Sequence, residues 1–343
     1  MFIKWGHFSE QRKKRPYDNM IISWNVTRTC NLKCKHCYRD AGKKDSSELS
    51  IEEAKELLGE IARAGFKIVI LSGGEPLLRQ DIYELISCAR VNGLVPVLGT
   101  NGTLIDREIA RKLKQAGLKR AGISLDSVDS KIHDEFRQVK GAWERSVNAM
   151  RAGKNAGLEF QVHTTVTQHN KEGIEAVTDL ACRIGADAHH IFFLVPTGRG
   201  KEIEESVISS EDYESLLKRI LKKQKNTAIE LKPVCTPQFI PIAKQMNLPL
   251  RFQRGCIAGI SYCCILPNGD VHPCPYLPLR LGNVRELKFS VIWQENDILK
   301  ELRSLNYKGK CGQCGYKDTC GGCRARAYHL SGDYMDEDPI CRL

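Results

Sequence analysis

From about residue 20 to 200 the chain alternates short β-branched runs with amphipathic stretches, a rhythm that few folds accommodate. The runs at 21–27, 67–71, 95–99, 120–125, 159–167 and 189–195 read as strands. Between them, 51–64, 81–91, 106–115, 142–156 and 174–184 carry helical patterns. Ser50 followed by Glu53 has the spacing of a capping box, which starts a helix. Gly65, Gly93, Gly117 and Gly157 stand at helix ends, where a left-handed residue is wanted. Six strands separated by helices predict βα units and a parallel sheet, an α/β chain. Residues 201–250 read as a charged helical connector ending in a stretch with Pro233, Pro237, Pro241 and Pro249. Beyond Cys256 the texture changes to short strands, Gly and Pro turns and dense cysteine. A metal-stapled second domain is expected there, because about 90 such residues bury little apolar core unaided.

Fifteen cysteines are more than a core of 343 residues needs. No apolar run approaches the roughly 20 residues of a membrane helix, and the N-terminus lacks the apolar core of a signal peptide. The expectation is a cytoplasmic protein without a membrane span, where cysteines serve as ligands or redox groups rather than disulfides. Three cysteines sit at 30–37, eight lie between Cys256 and Cys323, and Cys341 closes the set. Cys88, Cys182 and Cys235 stand apart, the first two among apolar helical residues as buried inert thiols. The net charge of +11 suits nucleic acid, a membrane surface or a small polyanion. Basic residues are scattered apart from Arg12-Lys13-Lys14-Arg15, and no aromatic platform accompanies them, which disfavours nucleic acid.

Cys30, Cys34 and Cys37 have the spacing C-x3-C-x2-C directly after the first strand. Thiolates at these intervals can wrap one [4Fe–4S] cubane and leave its fourth iron open, which suggests chemistry rather than simple electron transfer. The alternative is a zinc site completed by His36. Barrel enzymes place their active sites in loops after the strands, which favours the cluster. The motif resembles the signature of the radical S-adenosylmethionine (SAM) superfamily, with His36 where an aromatic residue is usual. That resemblance implies a partial (βα)6 TIM-like barrel over 21–200, after a short segment 1–20. It also implies reductive cleavage of SAM to methionine and a 5′-deoxyadenosyl radical.

Further motifs fall where a SAM site needs them. Gly73-Gly74-Glu75-Pro76 follows the second strand and is similar to the family element that holds the methionine amino group. Thr100 and Asn101 end the third strand, Ser124 and Asp126 the fourth, and Thr164 lies on the fifth. With His36 and Tyr38 beside the third cysteine, these are the expected cofactor-binding residues. Singly each is compatible with a turn or cap; together they mark one end of the sheet.

The C-terminal cysteines resemble the SPASM extension of this superfamily, which carries one or two auxiliary [4Fe–4S] clusters, and the domain is expected over 251–343. By that resemblance Cys311, Cys314, Cys320 and Cys341 hold one cluster. Cys256, Cys274 and Cys323 hold another, with Cys263 or Cys264 as a fourth ligand. The last gap, Cys320 to Cys323, encloses two residues where the family pattern has three. Zinc is the alternative for paired C-x2-C elements.

The segment from His189-His190 through Pro196-Thr197-Gly198-Arg199-Gly200 resembles the radical SAM enzymes that trim tetrapyrrole side chains. The likeness is greatest to the AhbD-type heme synthases, which Arg254-Gly255-Cys256 and residues 307–327 also resemble. It implies oxidative decarboxylation of two propionates of iron-coproporphyrin III to vinyls, with an electron donor such as ferredoxin or flavodoxin. Arg199, Arg28 and Arg254 are then expected to pair with substrate carboxylates. His189 and His190 would ligate or hydrogen-bond the substrate, one of them instead packing under the barrel. Another tetrapyrrole-trimming reaction, deacetylation or heme d1 synthesis, is an alternative. So is a peptide-modifying maturase, disfavoured because about 20 residues before the first strand leave no room for a peptide-binding domain. A non-catalytic electron-transfer or zinc module would need neither the open-site motif nor the Gly-Gly-Glu-Pro element.

Overall fold

The computed structural model describes residues 20–250 and 252–343. The basic run Arg12-Lys13-Lys14-Arg15 and the segment 1–20, apart from Met20, lie outside the described residues. So does Arg251, where the SPASM-like domain is expected to begin.

The strands β1 (Ile21–Thr27), β2 (Ile68–Gly73), β3 (Val95–Thr100), β4 (Arg120–Ser124), β5 (Glu159–Val166), β6 (Ala188–Phe193) and β7 (Glu230–Val234) follow one another in space in chain order. Each is parallel to the next. Helices α1 (Ile51–Arg63), α2 (Ile82–Val91), α3 (Arg107–Ala116), α4 (Ser130–Arg137), α5 (Ala142–Asn155), α6 (Ile174–Ile184) and α7 (Ser210–Gln224) make the crossovers, and α8 (Phe239–Gln245) follows β7. This is an open, TIM-like partial barrel. Beyond its first strand, β8 (Tyr262–Ile265) pairs parallel to β1. Then β9 (Asp270–His272) and β10 (Gly282–Asn283) continue the same sheet antiparallel.

Local chemistry explains the elements. On β1, Ile22, Trp24 and Val26 are fully buried in the apolar core, so Ser23, Asn25 and Thr27 take the opposite face, toward the barrel interior. Ser50 caps α1 by accepting from Glu53 N at 3.3 Å, while Glu53 Oε2 accepts from Ser50 N at 2.7 Å. The four glycines at the expected helix ends have φ between +66° and +95°.

Three features depart from the expectation. β7 is a seventh parallel strand inside the stretch read as a helical connector, and it tolerates Pro233 because it forms the sheet edge. α4 is a short additional helix between β4 and α5. β8–β10 of the cysteine-rich region extend the barrel's own sheet, a continuity that no local period in the sequence announces. Among the described residues, no helix is long and apolar enough to cross a membrane.

Helix α9 (Phe289–Glu295) closes the joint between the two regions. The Phe66 ring meets Phe289 at 5.4 Å and Trp293 at 5.0 Å, both edge-on, and Phe289 N donates to Glu60 Oε2 at 2.7 Å. Phe66→Ala empties this joint and is expected to cost about 3–5 kcal/mol, read from urea unfolding of the iron-free protein. A loss below about 1 kcal/mol would show that Phe66 does not hold the regions together.

Candidate active site and auxiliary thiols

The loop after β1 is tied at its base. Gly42 N donates to Arg28 O and Cys30 N to Gly42 O, each at 2.9 Å. A side chain from beyond β6 buckles it: Arg199 donates through Nε to Cys34 O at 3.0 Å and through Nη1 to Asp40 Oδ1 at 2.6 Å and Ala41 O at 2.9 Å. Arg199 N also donates to Cys37 O. Gly198 allows that approach, because a Cβ there would lie 2.5 Å from the Cys37 oxygen.

Each of the three sulfurs so placed meets an N–H. Leu32 N donates to Cys30 Sγ and Ala41 N to Cys37 Sγ at 3.4 Å, and Arg137 Nη1 reaches Cys34 Sγ at 3.7 Å. Such donors stabilise metal-bound thiolate. Without iron, burial pushes the Cys30 thiol up to about 11 and raises Cys34 as well, against the pull of Arg137. Bound cations remove that penalty. Two buried atoms on the same loop, His36 Nδ1 and Arg39 Nε, have no protein partner. The donor set and these open polar atoms fit an iron–sulfur cluster with a polar ligand beside it.

The ends of β2–β5 brace this loop. Gly74 N donates to Thr27 O and Glu75 N to Thr29 O, and a Cβ on Gly74 would lie 2.1 Å from Thr29 O. On Gly73 it would lie 2.3 Å from Thr27 O. The glycines therefore admit the neighbouring backbone. Pro76, itself buried, starts a short turn. The Glu75 carboxylate is fully buried and accepts from Thr100 Oγ1 at 2.8 Å, Asn101 N at 2.9 Å and Leu77 N at 3.2 Å. Burial pushes it up to about 7 despite the Asn101, Thr100 and Leu77 donors. Asn101 Nδ2 donates to Asn31 Oδ1 at 2.9 Å, holding the cluster loop from β3. Asp126 accepts from Arg137 Nε at 2.6 Å and Thr165 N at 2.9 Å. Burial pushes its carboxyl up, but Arg137, then His36 and His133, hold it at about 2.

Several residues expected to contact the ligand are engaged with the protein's own groups. Glu75, Asp126 and Thr100 spend their side chains on the protein's own groups. Thr164 faces the helix layer, where its hydroxyl meets Leu125 O and His189 Nε2. His189, fully buried between Thr164 and Thr178 hydroxyls at 2.8 and 2.9 Å, packs under the barrel. Arg199 is the loop's buckle. Arg28 is half exposed and turns to Asp40, with Nε 3.4 Å from Asp40 O. Arg254 donates to Cys256 O at 3.0 Å and to Asp318 O at 2.5 Å, joining two cysteine segments. The His36 ring stacks on Phe136 of α4 at 4.0 Å. Ser124 is half-buried, its hydroxyl 3.4 Å from Thr100 O.

The barrel interior below the loop is lined by imidazole. His163 and His190 stack at 5.5 Å, and Gln161 Nε2 lies 2.7 Å from His163 Nε2 and 3.3 Å from His190 Nδ1. Gly122 lets the His163 ring lie across β4, since a Cβ there would meet it at 2.2 Å. Burial holds both imidazoles below their ordinary value, so both are neutral near pH 7. Tyr38 donates to Asn25 Oδ1 at 3.1 Å, and its ring lies 5.2 Å from Tyr276 of the cysteine-rich region.

In that region, Cys311, Cys320 and Cys341 lie within electrostatic reach of one another. Cys311 Sγ accepts from Arg324 Nη2 at 3.6 Å and Asp338 N at 3.5 Å, and Cys314 Sγ from Tyr316 N at 3.4 Å. Cys323 packs with Cys274 and Cys235 around Val195, Leu277 and Ala325. Burial pushes the Cys235 thiol well up, and the sulfurs of Cys323, Cys274 and Cys256 add to it. Cys263 is corrected as a ligand: it sits beside Ile22 on the face of β8 that joins the apolar core. Cys264 points into the barrel, where its Sγ accepts from Asn25 Nδ2 at 3.0 Å and Arg39 Nη2 at 3.5 Å.

The residues missed by sequence reasoning are Arg137, Asn31, Gln161 and Cys235. For Arg137 a signal exists: His133 and Arg137 are four apart on one helical face, and both meet Asp126.

Residues 24–181 match the sequence model of the radical SAM superfamily, and residues 256–323 match SPASM, an iron-sulfur cluster-binding domain. The chain is 42% identical over 336 residues to the AdoMet-dependent heme synthase of Methanosarcina barkeri, covering 94% of this chain and 95% of that protein. It is 32% identical over 352 residues to the Fe-coproporphyrin III synthase of the same organism, covering 94% and 88%. Among solved structures, Streptococcus suis SuiB bound to S-adenosylmethionine superposes with a TM-score of 0.76 over 95% of this chain and 78% of that one. At 19% identity that likeness shows the fold alone.

The Asp126–Arg137 pair sets an acid limit. With its carboxyl held near 2 in the fold against an ordinary 3.8, Asp126 contributes about 2 kcal/mol above pH 4, lost as pH falls toward 2. In iron-free protein, Asp126→Asn is expected to flatten the stability-against-pH curve over that window. An unchanged acid limb would exclude the pair as its source. Arg137→Met leaves the carboxylate buried and unpaired, at about 3–5 kcal/mol.

Proposed function

The chain belongs to the radical SAM superfamily and carries its SPASM extension, and on that premise we propose that it is a heme synthase converting two propionates of iron-coproporphyrin III to vinyls. The observation that carries this reading is the pair of neutral imidazoles, His163 and His190, stacked in the barrel interior below the three-cysteine loop. Neutral imidazole is the form that ligates iron, so an iron-bearing macrocycle suits this lining better than a peptide does. The net charge of +11 favours a tetracarboxylate. Near full-length similarity to proteins named AdoMet-dependent heme synthase supports the same reading.

When bound, the cluster and SAM supply a 5′-deoxyadenosyl radical, which takes one hydrogen atom from a propionate β-carbon. The side chain then loses CO2 and one electron, leaving the vinyl group. The chain's own residues place the reactants. Arg199 and Asn101 hold the thiol loop over the strand ends, and Tyr38 with Asn25 closes its inner side against water. His190 or His163 orients the macrocycle through its iron. An auxiliary cluster held by the C-terminal thiols would accept the released electron, and a ferredoxin- or flavodoxin-like donor would reduce the cluster held by Cys30, Cys34 and Cys37. The reaction belongs in the reducing cytoplasm, where thiolates stay available as ligands.

The test is anaerobic reconstitution with iron and sulfide, reduction, and incubation with SAM and iron-coproporphyrin III. Mass spectrometry is expected to show 5′-deoxyadenosine and two successive losses from the porphyrin, each of CO2 and two hydrogens. Cys30→Ala is expected to abolish both products while the auxiliary iron remains. SAM cleavage over an unchanged porphyrin would overturn the substrate and leave the superfamily chemistry standing.

A further inference from the structure

Cys235 stands outside the residues that match SPASM, and spacing gives it no partner. In the fold it immediately follows the edge strand β7 and, with Cys274, packs against the buried cluster that contains Cys323. Its backbone is strained, with φ +61° at a residue that has a Cβ. Such a conformation persists only where surrounding contacts fix it. Here the fixing group is a buried ion pair. Arg326 Nη2 donates to Cys235 O at 3.0 Å, and Arg326 Nε donates to Asp338 Oδ1 at 2.8 Å. Asp338 Oδ2 accepts from Cys323 N at 2.7 Å. One ion pair thus holds the backbones of both cysteines, which sets the spacing of their sulfurs.

The third segment is held as closely. Gly255, next to Cys256, lies against Pro237, and a Cβ on it would stand 2.7 Å from Pro237 Cα. The chain next to Cys256 is thus in contact with the chain two residues beyond Cys235. Beside the thiols, the Thr236 hydroxyl and Arg326 Nη1 are buried without any protein partner, Thr236 only 2% and Arg326 4% exposed. Two unused donors in so buried a place are costly unless an acceptor joins them. Cluster sulfur is such an acceptor. The other thiol near this group, Cys264, is engaged with Asn25 and Arg39 on the barrel side.

We infer that Cys235 is the fourth thiolate of the auxiliary iron–sulfur cluster held by Cys256, Cys274 and Cys323, with Thr236 and Arg326 donating to its sulfurs. The cluster is then closed, with no iron free for substrate, and its role is electron transfer. The assignment does not depend on which substrate the barrel takes.

The test uses full-length protein carrying Cys30→Ala, Cys34→Ala and Cys37→Ala, so that only auxiliary iron remains. In this background Cys235→Gly removes the thiol and relieves the left-handed strain, so its iron-free form is expected to be at least as stable as the parent. After reconstitution it is expected to lose iron and, on mild oxidation, to show the EPR signal of a [3Fe–4S] cluster. The Cys182→Ala control is expected to lack that signal. Cys235→Ser offers a hydroxyl oxygen instead, and is expected to keep the iron with a shifted midpoint potential. Iron content and EPR in Cys235→Gly equal to the control, or an unshifted potential in Cys235→Ser, would overturn the assignment. Neither readout involves SAM cleavage or porphyrin turnover, so the result stands apart from the proposed function.

Discussion

The buried pair between Asp126 and Arg137 ties together β4, β5, α4 and the cluster loop at the active-site mouth. One carboxylate takes the guanidinium on one oxygen and the Thr165 amide on the other, locking the end of β4 to β5. The same guanidinium reaches Cys34 Sγ. A buried charge pair is seldom a large net source of stability, because desolvation consumes most of the attraction. Its value here is geometric: it permits one arrangement of α4, and α4 in turn supports His36 and the cluster loop. Glu75 does the same between β2 and β3 without a counter-ion, using three donors.

These carboxylates also show where sequence reading stops. The alternation of strands and helices, the capping box at Ser50 and the C-x3-C-x2-C loop were legible, because each follows from a local period or spacing. The faces of strand-end residues were not. Thr164 and His163 are adjacent, yet one bonds within the helix layer and the other lines the barrel, and the pleat alone decides. His189 and His190 divide in the same way. Polar residues at strand ends read equally well as ligand contacts or as braces, and only the third dimension separates Glu75 the brace from Ser124. β7 was hidden by Pro233, which argues against a central strand and is silent about an edge. Cys235 was hidden because its partners lie far along the chain and its own neighbours carry no motif.

The continuity of the sheet is what brings the two iron-binding regions together. β8 runs on the free side of β1, so the strand that leads into the first thiol loop is also the neighbour of Cys264. Tyr38 and Tyr276 meet across this seam, and Arg39 lies 5.5 Å over the Tyr38 ring. The thiol groups are thereby carried on one continuous sheet.

That continuity has a consequence for how the chain is made. β1 leaves the ribosome well before β8, and its outer edge finds a partner only when residues 262–265 emerge. Until then a strand with Ile22, Trp24 and Val26 on one face has an open row of backbone donors and acceptors. Loop closure over so long a separation is slow. The nascent barrel therefore passes through a period in which it can dock edge-to-edge with another copy, and late arrival of β8 ends that exposure.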